Sequence, residues 1–127
     1  KPKSIDFLND WRQFVLGNPY GSLFDWYQML GVANKQGMIR VEDAAEVLKA
    51  MSLKSYEGGY KILIMWMVEK MNPDTANKLL KMIEEPPQKT VILLVAEDEE
   101  ALLSTIRSRC QTLRFGKIPD AVIAEAL

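Results

Sequence analysis

Two short apolar runs, Ile62–Met67 and Val91–Ala96, bracket an amphipathic segment, and this arrangement constrains the fold more than any other feature of the chain. A short apolar run is the signature of a strand buried in a parallel sheet. Between the runs, Pro73, Ala76, Leu79, Leu80 and Ile83 recur at helical spacing. Asn72 suits a helix cap and Pro73 its first turn. Pro86-Pro87 ends the helix, because proline lacks the N–H that a helix needs and restricts the residue before it. The order strand, helix, strand predicts a βαβ unit within Tyr60–Phe115.

The rest of the chain adds helices. Ile5, Leu8, Trp11, Phe14 and Val15 fall on one face, with Ser4 as a cap and Gly17 as a stop. Asn18-Pro19-Tyr20-Gly21 is a turn. A second amphipathic helix runs from about Ser22 to Leu30, with Leu23, Trp26, Tyr27 and Leu30 apolar. These aromatic residues suit either helix packing or base stacking, and packing is favoured. A polar turn over Gly31–Gly37 precedes an extended piece at Met38–Arg40. A helix from Val41 to Ser52 follows, with Val41, Ala44, Ala45, Leu48 and Met51 on its buried side. Glu57-Gly58-Gly59 turns the chain into the strand Tyr60–Met67. After Val91–Ala96 come a loop and helix over Asp98–Arg107 with Leu102, Leu103 and Ile106 inward. A strand Gln111–Phe115, a turn and a helix from Asp120 complete the chain.

Composition excludes several function classes. The 127 residues suffice for one domain with a modest core. Sixteen basic and 17 acidic residues give a net charge of −1, so no global electrostatic case exists for nucleic-acid binding. One cysteine and no histidine leave no intrachain disulfide and no ordinary Cys/His zinc site. This usage suits a reducing cytoplasm. No apolar run is long enough for a transmembrane span, and the charged, polar start does not read as a signal peptide. The acidic run Glu97–Glu100 reads as a solvated loop, since successive carboxylates do not converge on one ion. Met65, Met67 and Met71 read as core filling.

The combination "ANKLLKMIEEPP", a buried strand, and "STIRSRCQTLRF" resembles the AAA+ module of bacterial clamp-loader subunits. The resemblance covers Ile39 to Phe115. It is nearest to the delta-prime type of the DNA polymerase III holoenzyme, with the ATP-hydrolysing gamma/tau type second. It implies an α/β fold: part of an AAA+ domain, with a partly parallel sheet flanked by helices. The expected division is a partial AAA+ domain over 1–117, made of a helical segment (1–37) and a βαβ core (38–117). Residues 118–127 would begin a helical lid domain. The family carries "GxxxxGK[ST]" and often a four-cysteine zinc module before this stretch, and neither motif occurs here. With Lys1 at the start, the chain is expected to be a fragment, and its truncation to expose apolar surface.

Active family members end the first strand with an Asp-Glu pair, the Asp holding the water shell of magnesium and the Glu orienting the attacking water. Anchored on "ANKLL", those positions are Trp66 and Met67. Glu69 and Glu84 are nearby carboxylates outside the matching place. Glu69 reads as a solvated charge at a helix start, or as a substitute after a two-residue slip. The γ-phosphate sensor at the end of the second strand falls on Ala96 and Glu97, where a carboxylate repels phosphate. No nucleotide cofactor is therefore expected in this chain, and no hydrolysis. The resemblance makes Arg109 of Ser108-Arg109-Cys110 an arginine finger. It would reach the ATP–magnesium held by a neighbouring subunit, using a planar guanidinium that pairs with phosphate as a fork. Arg107 and Arg114 read as ordinary surface arginines or as members of structural ion pairs, and Cys110 as a buried structural thiol rather than a nucleophile.

The partners implied are the delta and gamma/tau subunits, with the sliding clamp and primed DNA reached through the assembled loader. Two other readings remain: an active gamma/tau-like or related ATPase, and a helical DNA-binding or scaffolding module on Lys1–Leu53. A helix-turn-helix reading of Met29–Leu53 is disfavoured, because its flanks are not basic and the apolar βαβ unit follows at once.

Overall fold

The computed structural model describes residues 2–32, 35–53 and 58–127. The chain divides into two compact units. One comprises Gln36–Cys110 together with the N-terminal residues through Ser4; the other comprises Ile5–Lys35 and Gln111–Leu127.

In the larger unit, α3 (Val41–Ser52) leads to β1 (Lys61–Trp66), α4 (Pro73–Glu84), β2 (Thr90–Val95) and the short α5 (Ser104–Arg107). The strands pair in parallel from Lys61↔Thr90 to Trp66↔Val95, with α4 as the crossover, so the βαβ unit forms as expected. Asn72 caps α4, accepting from Thr75 N at 2.8 Å, and Pro73 takes the first helical position. Thr75 is fully buried. Its Oγ lies 3.0 Å from Ile39 O and 2.7 Å from Asn72 Oδ1, so two acceptors share one hydroxyl proton. Ile39 forms a parallel bridge to Met71, which ties the segment before α3 to the start of α4.

One carboxylate organises the start of α3. Asp43 accepts from Arg40 N at 3.0 Å and from Ser4 N and Oγ at 3.2 and 2.8 Å. Ser4, expected as the cap of the first helix, instead opens a 3-10 turn (Ser4–Phe7), and its hydroxyl is spent on Asp43. At the other end of α3, Lys61 Nζ donates to Met51 O at 2.9 Å, satisfying a carbonyl that the helix end leaves without a partner.

The core joins Ala44, Met65, Val68, Met71, Ala76, Leu79, Met82, Ile83 and Ile106. Leu102 and Leu103 pack on it, as expected. The strands are not buried on both faces. Met65 lies inside, while Ile62, Ile64, Val91, Leu93 and Val95 are exposed on the opposite face. Strand period and register place these five residues together, so the apolar run is a half-covered sheet.

In the second unit, α1 (Leu8–Gly17) and α2 (Leu23–Met29) meet through rings. Trp11 lies 5.3 Å from Trp26, edge to face, and Phe14 lies 5.4 Å from Trp26. These aromatic residues therefore pack helices. Ser22 and Asp25 form a capping box at the start of α2. The turn at Asn18 closes with Gly21 N donating to Asn18 O at 3.0 Å. The expected strand Gln111–Phe115 is absent. Its residues join no ladder among the described residues, and Leu113 and Phe115 are 75 and 90 % exposed. Alternating apolar residues become a strand only beside a partner edge. The chain then enters α6 (Asp120–Ala126) after Pro119.

The expected turn residue Glu57, and Ala33 and Asn34 of the polar turn, lie outside the described residues. Among the described residues, no helix is long and apolar enough to cross a membrane.

Candidate functional site

Parallel pairing brings the ends of β1 and β2 side by side. β1 stops at Trp66 because Met67 turns into the left-handed region, at φ 58° and ψ 50°. A residue with a Cβ enters that region at a cost of roughly 1–2 kcal/mol. The Met67 side chain is buried, and a 3-10 turn (Val68–Lys70) follows. Indole and thioether therefore occupy the two positions that the family resemblance assigns to a magnesium-binding carboxylate and its neighbour. Ala96, past the end of β2, packs against the core, and Glu97 is exposed.

Glu69 does not point freely into water. Its Oε1 accepts from Glu97 N at 3.0 Å, while its Oε2 is buried without a hydrogen-bond partner among the described residues. It links the ends of the two strands, which corrects the reading of a solvated charge. The correction stems from the parallel register, which brings Glu97 N within reach. The acidic run is also partly engaged. Asp98 Oδ1 accepts from Glu100 N at 3.0 Å, and Arg107 pairs with Glu99 at 3.3 Å and Glu100 at 3.5 Å. Among the described residues, no three acidic or cysteine side chains gather as a metal site.

Ser108, Arg109 and Cys110 follow α5, whose Ile106 is buried in the core. Arg109 N donates to Ile106 O at 3.1 Å and Cys110 N to Arg107 O at 3.3 Å, so the motif leaves the helix in a tight turn. The guanidinium of Arg109 is held in three places. Nε donates to Glu84 Oε1; Nη1 donates to Thr105 O at 2.8 Å and approaches Ser108 Oγ at 3.4 Å. Among the described residues, Nη2 has no partner, and the side chain is 32 % exposed. Arg107 is the structural arginine expected from sequence. Cys110 is half-buried against the core rather than buried as expected, and that partial burial pushes its thiol up from the ordinary value.

Sequence reasoning did not find the Glu84–Arg109 pair. The signal available was the position of Glu84, last in α4 and two residues before Pro86, which stops the helix.

A family model described as DNA polymerase III, delta subunit matches residues 24–119. The chain is 36 % identical over 86 residues to DNA polymerase III subunit delta' of Yersinia pestis, covering 68 % of this chain and 25 % of the relative. It is 34 % identical over 88 residues to the delta' subunit of Bacillus subtilis, covering 69 % and 26 %. It is 32 % identical over 88 residues to the tau/gamma subunit of Haemophilus influenzae, covering 69 % and 13 %. A crystal structure of a DNA polymerase III gamma subunit-related protein from Thermotoga maritima superposes with a TM-score of 0.62 at 28 % identity, covering 69 % of this chain and 30 % of that one. The chain thus spans about a quarter of the length of the delta' relatives.

Proposed function

This chain belongs to the DNA polymerase III delta-subunit family, and on that premise we propose that it is part of a non-hydrolysing, delta-prime-type clamp-loader subunit. The observation that carries this reading is Trp66–Met67 at the end of β1. Phosphoryl transfer needs a metal held beside the phosphates and a positioned attacking water. Indole and thioether supply neither, and Ala96 supplies no hydroxyl for the γ-phosphate. The subunit therefore acts on a neighbour's nucleotide.

Arg109 is the residue proposed for that action. Its guanidinium is permanently charged, and charge spreads over the phosphoryl oxygens as the γ-phosphate leaves. A cation offered across the subunit boundary stabilises that charge, an effect worth about 10³–10⁵ in rate in GTPase systems. That Nη2 has no partner among the described residues, and that the Arg109 side chain is partly exposed, support the assignment. The neighbour would be a gamma/tau subunit, with delta as a further partner. The clamp and primed DNA would be engaged by the assembled loader, in the cytoplasm. Asp120–Ala126 would begin the lid domain.

Arg109→Ala in the full-length subunit should leave assembly intact and lower the clamp-stimulated ATP turnover of the complex by at least about tenfold. Unchanged turnover would contradict the assignment. A gamma/tau-like ATPase is the second reading, favoured by the tau/gamma relative and the gamma-related structure. It requires turnover by the subunit alone.

A further inference from the structure

We infer that Glu84 is the positioning residue for Arg109. This inference rests on the reading of Arg109 as a group offered to a neighbour's phosphate. Pro86 ends α4 two residues after Glu84, so Glu84 sits at the helix terminus, and its carboxylate meets Arg109 Nε beyond α5. The other anchors come from Arg109's own turn: Thr105 O at 2.8 Å and Ser108 Oγ at 3.4 Å, both on Nη1. Two of the three guanidinium nitrogens are thus fixed by this subunit. The third, Nη2, has no partner among the described residues.

An arginine at a turn otherwise samples many rotamers, and each must be given up when it meets a phosphate. Holding Nε and Nη1 in advance restricts the plane of the group and leaves Nη2 to donate to an anion arriving from outside. Thr105 O and Ser108 Oγ hold Nη1 alone and permit the plane to swing. Glu84 reaches Nε from a different helix and supplies the second fixed point. The carboxylate is about half exposed, so the pair contributes little to stability as a surface ion pair. Its consequence lies in orientation.

The test uses the full-length subunit in the assembled loader, with clamp and primed DNA, and four variants: Glu84→Ala, Glu84→Gln, Arg109→Ala and the Glu84→Ala/Arg109→Ala double variant. Glu84→Ala should lower the kcat of ATP turnover by roughly tenfold with little change in KM for ATP. Glu84→Gln, whose amide oxygen still accepts from Nε, should recover most of that loss. In the Arg109→Ala background, Glu84→Ala should have no further effect, because the group it orients is gone. If Arg109→Ala lowers turnover and Glu84→Ala does not, Glu84 is a bystander. The positioning role is equally overturned if Glu84→Ala costs as much with Arg109 absent as with it present. If Arg109→Ala itself leaves turnover intact, the finger reading fails first, and the positioning role falls with it.

Discussion

At Gly21 an added Cβ would lie 2.4 Å from Phe14 Cζ and 2.9 Å from Cε2. Phe14 is the buried ring of α1 and also packs on Trp11 and Trp26, so it has little room to yield. Gly21→Ala should therefore cost about 1–3 kcal/mol in urea unfolding. Gly17→Ala is the control: nothing lies within 4 Å of its Cβ position, and it should be neutral or stabilising. The turn containing Gly21 is legible from Asn18-Pro19-Tyr20-Gly21; the ring that forbids a side chain is not, because only tertiary packing brings it there. Asp25 carries a pH dependence. Hydrogen bonds from Ser22 N and Ser22 Oγ hold its carboxyl below the ordinary 3.8. A lowered folded-state value means that the capping contribution is complete above about pH 4 and is lost as pH falls through the folded value. Urea midpoints of Asp25→Asn should therefore fall less steeply below pH 4 than those of the parent chain.

At the level of elements, α4 is the piece on which the paired strand ends and the Glu84–Arg109 contact depend. It connects β1 to β2 and ends at Glu84. Its start rests on Asn72, which accepts from Thr75 N and approaches the buried Thr75 hydroxyl. Asn72→Ala should lower stability by about 1–2 kcal/mol, read from the shift of the urea midpoint, because it removes the cap and a partner of that hydroxyl. A result near zero would mean that Ile39 O alone satisfies Thr75. Asn72, Pro73, the helical spacing and Pro86-Pro87 make α4 legible from sequence, and period alone locates α3 at Val41–Ser52. Local chemistry specifies such elements. Strand pairing depends on distant edges, which is why Gln111–Phe115 reads as a strand in sequence and forms none in the fold. The same limit hides the exposed face of β1 and β2: a run apolar at every position reads alike whether one sheet face or both are covered.

For the whole molecule, family membership is legible because "EEPP" and "SRC" stand at a fixed separation, and the βαβ unit realises that separation in space. The strand ends that the resemblance reads as degenerate, Trp66–Met67 and Ala96–Glu97, are also legible as positions. The Glu69–Glu97 link and the Glu84–Arg109 pair are not, since each joins side chain and partner across more than 20 residues. Together these features support the proposal of a subunit that lends a cation to a neighbour and cleaves no nucleotide of its own. The direct test is ATP turnover by the full-length subunit alone, and then with its gamma-type partner, clamp and primed DNA. The subunit alone should show no turnover, and the assembly should show stimulated turnover. Robust turnover by the subunit alone would contradict this reading, and would mean that a functional carboxylate pair exists outside Trp66–Met67.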